Sequence, residues 1–148
     1  MAVTATPVFA QGPYHKATSL AAVTACTTRA PTPTASLAAA NIVALTAAST
    51  NGLRIDSIQV QACSTAIGAT TAAQLVQVWM WDGTNAYLID EISVTALVPS
   101  ATSPAFTSTK YYTNPILVPA ANVLYISTTV TTTAGTTALL VSAFGGAY

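Results

Sequence analysis

The sequence carries very little charge. Of its 148 residues, four are Lys or Arg and four are Asp or Glu, so 5% are charged and the formal net charge is zero. An ordinary soluble domain is about 25% charged. Nucleic-acid binding needs clusters of Lys and Arg, whereas the basic residues here stand singly. The composition predicts a protein that does not bind nucleic acid and whose surface is partly covered by neighbouring protein.

Residues that perform catalysis or bind metals are also scarce. His15 is the only histidine, and a catalytic imidazole must be rigidly held. Asp90 and Glu91 are adjacent, so in a strand they point to opposite faces and cannot act as a pair. Asp56 lies two residues after Arg54, which predicts a local ion pair. With no metal-ligand spacing and no phosphate-binding loop, the sequence predicts no enzyme activity, no metal and no cofactor.

Cysteines and apolar runs are equally limited. Cys26 and Cys63 form no CxxC pair, and they are predicted to be reduced, partly buried thiols, with a disulfide as the alternative. The N-terminus shows no basic region followed by an apolar run, so no signal peptide is predicted. The weakly polar stretch at residues 35–48 is too short and too interrupted to span a membrane.

Short alternating segments are the strongest pattern present. Turn residues separate these segments at roughly 8–12-residue spacing, which is typical of a sandwich or barrel. The predicted strands are 42–46, 55–63, 74–81, 86–98, 106–112, 116–118, 123–130 and 138–144, with a weaker one in 19–29. The one helix candidate, residues 36–48, carries β-branched residues late in its length. We predict an all-β protein, an antiparallel, jelly-roll-like β-sandwich of about eight strands.

One hairpin stands out. Asp82-Gly83-Thr84-Asn85 supplies the positive φ of a tight turn between two apolar runs. The predicted pairs are Trp81 with Ala86, Met80 with Tyr87, Trp79 with Leu88 and Val78 with Ile89. Both faces of this hairpin are apolar, so one should face the core. The other needs a second partner, either the N-terminal arm or another subunit.

Two further local features complete the strand pattern. Ser57 breaks the alternation of its segment and predicts a β-bulge. Gly145-Gly146 is predicted to be a flexible C-terminus and not a phosphate cradle.

The N-terminus differs from the rest of the chain. Residues 1–16 contain Pro7 and Pro13 and little periodicity, which predicts an extended arm before a β-sandwich domain of residues 17–148. A disordered tail is the alternative. The arm offers candidate interface residues, namely Val8, Phe9, Tyr14, His15 and Lys16.

The tryptophans are the other candidate contact residues. Trp79 and Trp81 are two residues apart and share a face, while Tyr87 lies across the hairpin on the other face. Apolar Leu88 and Ala86 oppose the tryptophans. A core or subunit interface is therefore favoured over a sugar-stacking platform.

The segments VQVWMWDGTNAYLIDEISV and SPAFTSTKYYTNPILVPAANVLYIST, followed by a Thr-rich hairpin and a final strand, carry a resemblance. Over roughly residues 54–148 the chain resembles small structural proteins of tailed-phage virions, most of all jelly-roll capsid decoration (cement) proteins. That family implies a homo-oligomer, dimer or trimer, on the capsid surface, with extended termini. Its partner would be the major capsid protein of the same virion, with assembly in the host cytoplasm. A head-completion or tail protein, and a glycan-binding module using Trp79 and Trp81, are the alternatives.

Overall fold

The structure is a computed structural model that describes residues 12–29, 32–33, 41–63 and 69–148. The described residues form nine strands and no helix. The strands are β1 Gly12–Leu20, β2 Thr32–Pro33, β3 Val43–Ala44, β4 Leu53–Ala62, β5 Gln74–Trp81, β6 Asn85–Val94, β7 Thr107–Val118, β8 Val123–Thr128 and β9 Leu139–Ala147. The described part of the helix candidate, residues 41–48, contains only β3 and turns.

The strands form two antiparallel sheets. Sheet A has the order β1-β9-β4-β7, and sheet B has the order β2-β6-β5-β8-β3. Apart from the two-residue β2, this is the strand order of an eight-stranded jelly roll, in which the first strand pairs with the last. The predicted fold class is confirmed.

One hydrophobic core lies between the sheets. Strand β4 of sheet A contributes Ile58 and Val60, and strand β5 of sheet B contributes Val76 and Val78. These side chains are fully buried. Each aliphatic side chain removed from water in this way contributes about 1.5–3 kcal/mol. Residues between these positions point to the outer face of their own sheet, because side chains alternate along a strand.

The bulge predicted at Ser57 is confirmed. The register of β4 shifts between Ile55 and Ser57 against both of its neighbours, and against β9 it leaves Asp56 as the extra residue. The predicted ion pair is also present, with Arg54 Nε 3.0 Å from Asp56 Oδ1.

The predicted hairpin is confirmed near its turn and is wrong one pair further on. Gly83 has a φ of +99°, as the turn requires. The pairs Trp81–Ala86, Met80–Tyr87 and Trp79–Leu88 are present. Val78, however, pairs with Asp90, because a register shift leaves Ile89 as an extra residue. The bulge rotates Asp90 toward the neighbouring sheet, a consequence that alternation in the sequence does not reveal.

Strand β7 also departs from the sequence prediction. The predicted strands 106–112 and 116–118 are one, because β7 runs unbroken through Asn114 and Pro115 from Thr107 to Val118. Its pairing with β4 jumps from Tyr111 to Ile116. Since β7 is an edge strand, the missing N–H of Pro115 is tolerated there.

The N-terminal boundary lies elsewhere than predicted. Strand β1 begins at Gly12 and pairs with β9 along its whole length, whereas residues 21–29 form no strand. The predicted boundary between residues 16 and 17 therefore falls inside β1, and residues 12–16 belong to the sandwich. Val8 and Phe9 lie outside the described residues.

The C-terminus is part of sheet A. Gly145 and Gly146 pair with β1 on one side and β4 on the other, so the prediction of a flexible end is wrong. A Cβ atom on Gly145 would lie 1.8 Å from the carbonyl oxygen of Arg54. Glycine is required at this position because the two backbones approach too closely for any side chain.

Candidate functional site

The outer face of sheet B is covered by the chain itself. Trp79 is 0% exposed and forms a second small core with Cys26 and Ala86, against which Ile42 and Leu88 also pack. Cys26 belongs to residues 21–29, here called the covering segment. The second partner that the hairpin needs is thus this segment, and neither the predicted arm of residues 1–16 nor another subunit is required.

Specific hydrogen bonds hold the covering segment in place. Cys26 N donates to Thr128 O at 2.7 Å. Val23 N donates to Thr132 Oγ1 at 3.0 Å, and Thr132 N donates back to Val23 O at 2.9 Å. Asn41 Nδ2 donates to the carbonyl of Ala25. Most of these bonds join the segment to β8 or to the residues just after it, which pairs backbone groups of Val23 and Cys26 that are buried from water.

A buried chain of polar groups connects the same face to the segment. Trp79 Nε1 donates to Ser127 Oγ at 2.9 Å, and Ser127 Oγ donates to Gln77 Oε1 at 2.9 Å. Gln77 Nε2 then donates to Thr28 O and to Glu91 Oε1. Trp79, Gln77 and Ser127 are all fully buried. These groups satisfy one another, so the network stabilises the covering segment and leaves its tryptophan unavailable to a ligand.

The remaining hairpin aromatics are only partly available. Trp81 is half-buried and meets Tyr125 edge to face, with ring centroids 6.0 Å apart. Tyr87 is exposed beside the turn. Because Trp79 is buried, the two tryptophans do not form a sugar-stacking platform.

The outer face of sheet A carries exposed aromatic side chains. A row of directly paired residues crosses its four strands, from His15 to Phe144, Ser57 and Tyr111. Tyr111 is 78% exposed and Phe144 is 37% exposed. The rings of His15 and Phe144 stack with centroids 4.6 Å apart and planes 14° from parallel. The small, buried Ser57 lies between the stacked pair and Tyr111 in this row.

The polar groups beside this aromatic row are already paired with one another. Gln59 Nε2 donates to Thr109 Oγ1 at 3.3 Å. Arg54 and Asp56 neutralise each other across the bulge. Aromatic side chains surrounded by uncharged or neutralised groups are the composition typical of the centre of a protein interface.

The candidate interface residues of β1 divide between the two sides of sheet A. Tyr14 packs against the core, and burial raises the pKa of its phenol. His15 and Lys16 are exposed. Sequence reasoning did not place Phe144 and Tyr111 in one row with His15. Only the strand register, which joins residues far apart in the chain, places them in one row.

The two sheets are joined at one side by a charged contact. Asp90 of β6 lies 2.5 Å from Lys110 Nζ of β7 and accepts a hydrogen bond from the Tyr112 hydroxyl at 2.7 Å. Burial, reinforced by the hydrogen bond to Asp90, raises the pKa of Tyr112. Glu91 points to the opposite face of β6, toward Gln77 and Arg29, so the two carboxylates do lie on opposite faces as predicted.

The described residues contain no group of three or more His, Cys, Asp or Glu side chains that could hold a metal ion. Cys26 and Cys63 are both free thiols. No helix within the described ranges is long and apolar enough to cross a membrane. Comparisons with protein-family models, curated proteins and solved structures each found no match.

Proposed function

We propose that this protein is a non-enzymatic structural protein of a tailed-phage virion, which binds the capsid shell through the outer face of sheet A and stabilises it. The observation that carries the proposal is the exposed row of His15, Phe144 and Tyr111 on a protein with almost no charge. The resemblance of residues 54–148 to capsid decoration proteins supports the choice of partner, the major capsid protein.

The two outer faces differ in what they offer a partner. The face of sheet B is occupied by the covering segment, whereas Tyr111 on sheet A presents most of its ring to solvent. Tyrosine is among the residues that most often dominate binding energy at protein interfaces. Sheet A is therefore the face that a shell protein would contact.

The size of this face bears on how the protein would bind. Four strands at about 4.8 Å spacing and eight residues at about 3.3 Å each give a face of roughly 500 Å². A standard interface buries about 800 Å² on each partner. One copy therefore binds weakly through this face alone, and several linked copies on a symmetric shell would bind much more tightly through their combined contacts.

The charge of the face bears on how binding responds to salt. Its two charged side chains, Arg54 and Asp56, neutralise each other. Contacts between apolar groups are not screened by ions, whereas attraction between opposite charges is. Binding should thus survive high salt.

The test is co-sedimentation of the purified protein with shells that lack it. We expect the wild-type chain to pellet with shells at both low and high salt, and Tyr111→Ser to bind at least about tenfold more weakly. Val98→Ser is the matched control, since Val98 is 56% exposed but lies outside sheet A, and it should bind like the wild type. Unchanged binding by Tyr111→Ser would refute the role of this face. Binding to purified tails and not to heads would place the protein in the tail instead.

A further inference from the structure

The loop between β3 and β4 ends in an Asn-Gly step. Asn51 is exposed, and it directly precedes Gly52, where the backbone enters β4 with a φ of +91°. A Cβ atom on Gly52 would lie 2.8 Å from the carbonyl oxygen of Val118, so a side chain is excluded at this position. The fold therefore requires a glycine directly after an exposed asparagine.

An asparagine followed by glycine can modify itself. The backbone nitrogen of the glycine attacks the side-chain amide carbon, and the missing side chain leaves this approach unhindered. The new N–C bond closes a five-membered succinimide ring. The amide C–N bond breaks, and its nitrogen leaves as ammonia with the proton of the backbone nitrogen. Water then adds to either ring carbonyl and opens the ring to aspartate or isoaspartate, so water is the only co-reactant.

The other four asparagines are placed less favourably for this reaction. The residues that follow them all carry side chains and are Ile42, Ala86, Pro115 and Val123. Pro115 has no N–H and cannot act as the nucleophile. The side chain of Asn41 is held, because its Nδ2 donates to the carbonyl of Ala25 at 3.0 Å. Asn51 is therefore the asparagine at which ring closure meets the least hindrance.

The turn at Asp82-Gly83 offers a comparison within the same chain. The carboxylate Oδ1 of Asp82 accepts hydrogen bonds from Asn85 N and Thr84 N, each at 2.8 Å, and these bonds lower the pKa of Asp82. An ionised carboxylate held in this way is a poor target for a nucleophile. Within the described ranges no residue forms a hydrogen bond with the side chain of Asn51, whose backbone N–H alone bonds to Ser49 Oγ. The uncharged amide of Asn51 is free to turn toward Gly52 N.

Gly52 is also tied to the end of sheet A. Its carbonyl oxygen accepts hydrogen bonds from Ser49 Oγ at 3.2 Å and from Tyr148 N at 3.3 Å. Aspartate at position 51 would keep the main chain unchanged, whereas isoaspartate adds one atom to it directly before Gly52. Because Gly52 fits closely against Val118, the added atom must displace Gly52 and weaken these hydrogen bonds.

We propose that Asn51 is a self-modification site, at which Gly52 N converts the asparagine of the folded protein to aspartate or isoaspartate, and that the isoaspartate product loosens Tyr148. The reaction changes the formal net charge from zero to one negative charge. That charge lies at one end of sheet A, beside a depression that Asn51, Leu117 and Tyr148 help to line. The modification goes beyond the proposed function and needs no capsid.

The test is incubation of freshly purified protein at mildly alkaline pH, followed by isoelectric focusing and peptide mass spectrometry. We expect an acidic species in which an OH group replaces the NH2 group at position 51, formed at least about tenfold faster than at any other asparagine. The rate should rise with pH, because the deprotonated backbone nitrogen is the nucleophile. Absence of the acidic species would overturn the proposal.

Asn51→Gln is the matched control variant. Its side chain is one methylene longer and would have to close a less favourable six-membered ring, so it should acidify at least about tenfold more slowly than the wild type. Acidification of this variant at the wild-type rate would place the reaction elsewhere and refute the assignment to Asn51.

A comparison with the unfolded chain tests whether the fold permits the reaction. The folded protein should react at position 51 within about tenfold of the rate of the same chain in urea. A larger deficit would show that the loop holds Asn51 away from Gly52 N, and the proposal would be overturned.

Amide hydrogen exchange tests the effect on sheet A and separates the two products. The isoaspartate form should exchange faster than the wild type at Tyr148, whose N–H bonds to Gly52 O. Asn51→Asp carries the charge on an unchanged main chain and should exchange there like the wild type. The amides that join β5 and β6 should stay protected in both proteins. Unchanged exchange at Tyr148 in the isoaspartate form would refute the loosening of Tyr148.

Discussion

The two outer faces of the sandwich are built from similar alternating strands but end in opposite states. On sheet B, Trp79 is fully buried beneath the covering segment. On sheet A, Tyr111 is 78% exposed. Both aromatic side chains follow the same strand alternation. Whether such a side chain packs inside the molecule or remains exposed depends on what covers its face.

The polar groups of the two faces account for the difference. On sheet B, Gln77 and Ser127 extend a chain of hydrogen bonds to the covering segment. On sheet A, Gln59 donates a hydrogen bond to Thr109 within the face, and Arg54 forms an ion pair with Asp56. On sheet B one end of the hydrogen-bonded chain reaches the covering segment, whereas on sheet A the bond of Gln59 stays within the face.

The largest expected effect on this contrast is that of Trp79→Ala. It removes a buried aromatic ring and the hydrogen bond to Ser127, so we expect the free energy of unfolding to fall by about 3–5 kcal/mol. Tyr111→Ala on the open face should change it by no more than about 0.5 kcal/mol. Denaturant titration of both variants measures the difference. Equal losses would mean that the two faces do not differ in the way described.

A smaller effect is expected from Gln77→Leu, which keeps the volume but removes the polar centre of the network. The Ser127 hydroxyl loses its acceptor, and the expected loss is about 1–3 kcal/mol. Amide hydrogen exchange should accelerate at Cys26, whose N–H bonds to Thr128, while the amides that join β4 and β9 stay protected. Uniform acceleration across both sheets would contradict a local role in holding the covering segment.

The hydrogen bond from Tyr112 to Asp90, which joins the two sheets, should affect stability at alkaline pH. The raised pKa of Tyr112 means that its stabilising contribution is fully present below the unfolded-state pKa, about 10, and is lost as pH rises above it. Stability should therefore decline above about pH 10, and Tyr112→Phe should reduce that decline. Some decline should persist because Tyr14 also has a raised pKa. Tyr111→Phe is the matched control, and an identical change in both variants would count against the link to Asp90.

The smallest change in stability is expected from Arg29→Ala, at the edge of the outer face of sheet B. Arg29 Nε lies 2.9 Å from Glu91 Oε1, but the arginine side chain is 57% exposed. Arg29→Ala should cost no more than about 1 kcal/mol, and the difference from the wild type should vanish in about 1 M salt. A larger loss that persists in salt would show that this ion pair, and not the buried network, attaches the covering segment.

Much of the local architecture could be predicted from residues close in sequence. The turn at Gly83, the three hairpin pairs next to it and the bulge at Ser57 all follow from alternation and turn chemistry. The ion pair of Arg54 and Asp56 follows from their spacing. These features were predictable because the interacting groups lie within a few residues of one another.

The candidate surface was much less predictable. His15, Phe144 and Tyr111 come from three different strands, and no sequence pattern links them. The prediction for the tryptophans could not name the covering segment, because Cys26 lies more than fifty residues before Trp79. The bulge at Ile89 is likewise set by contacts of Asp90 with another sheet.

The sequence by itself determined an all-β jelly-roll-like sandwich with a charge-poor surface, because alternation, turn residues and composition act locally or on the whole chain. Tertiary structure alone decided which outer face is covered, where the first strand begins and why Gly145 must lack a side chain. Each of these depends on backbones and side chains that are distant in sequence and meet only when the two sheets assemble.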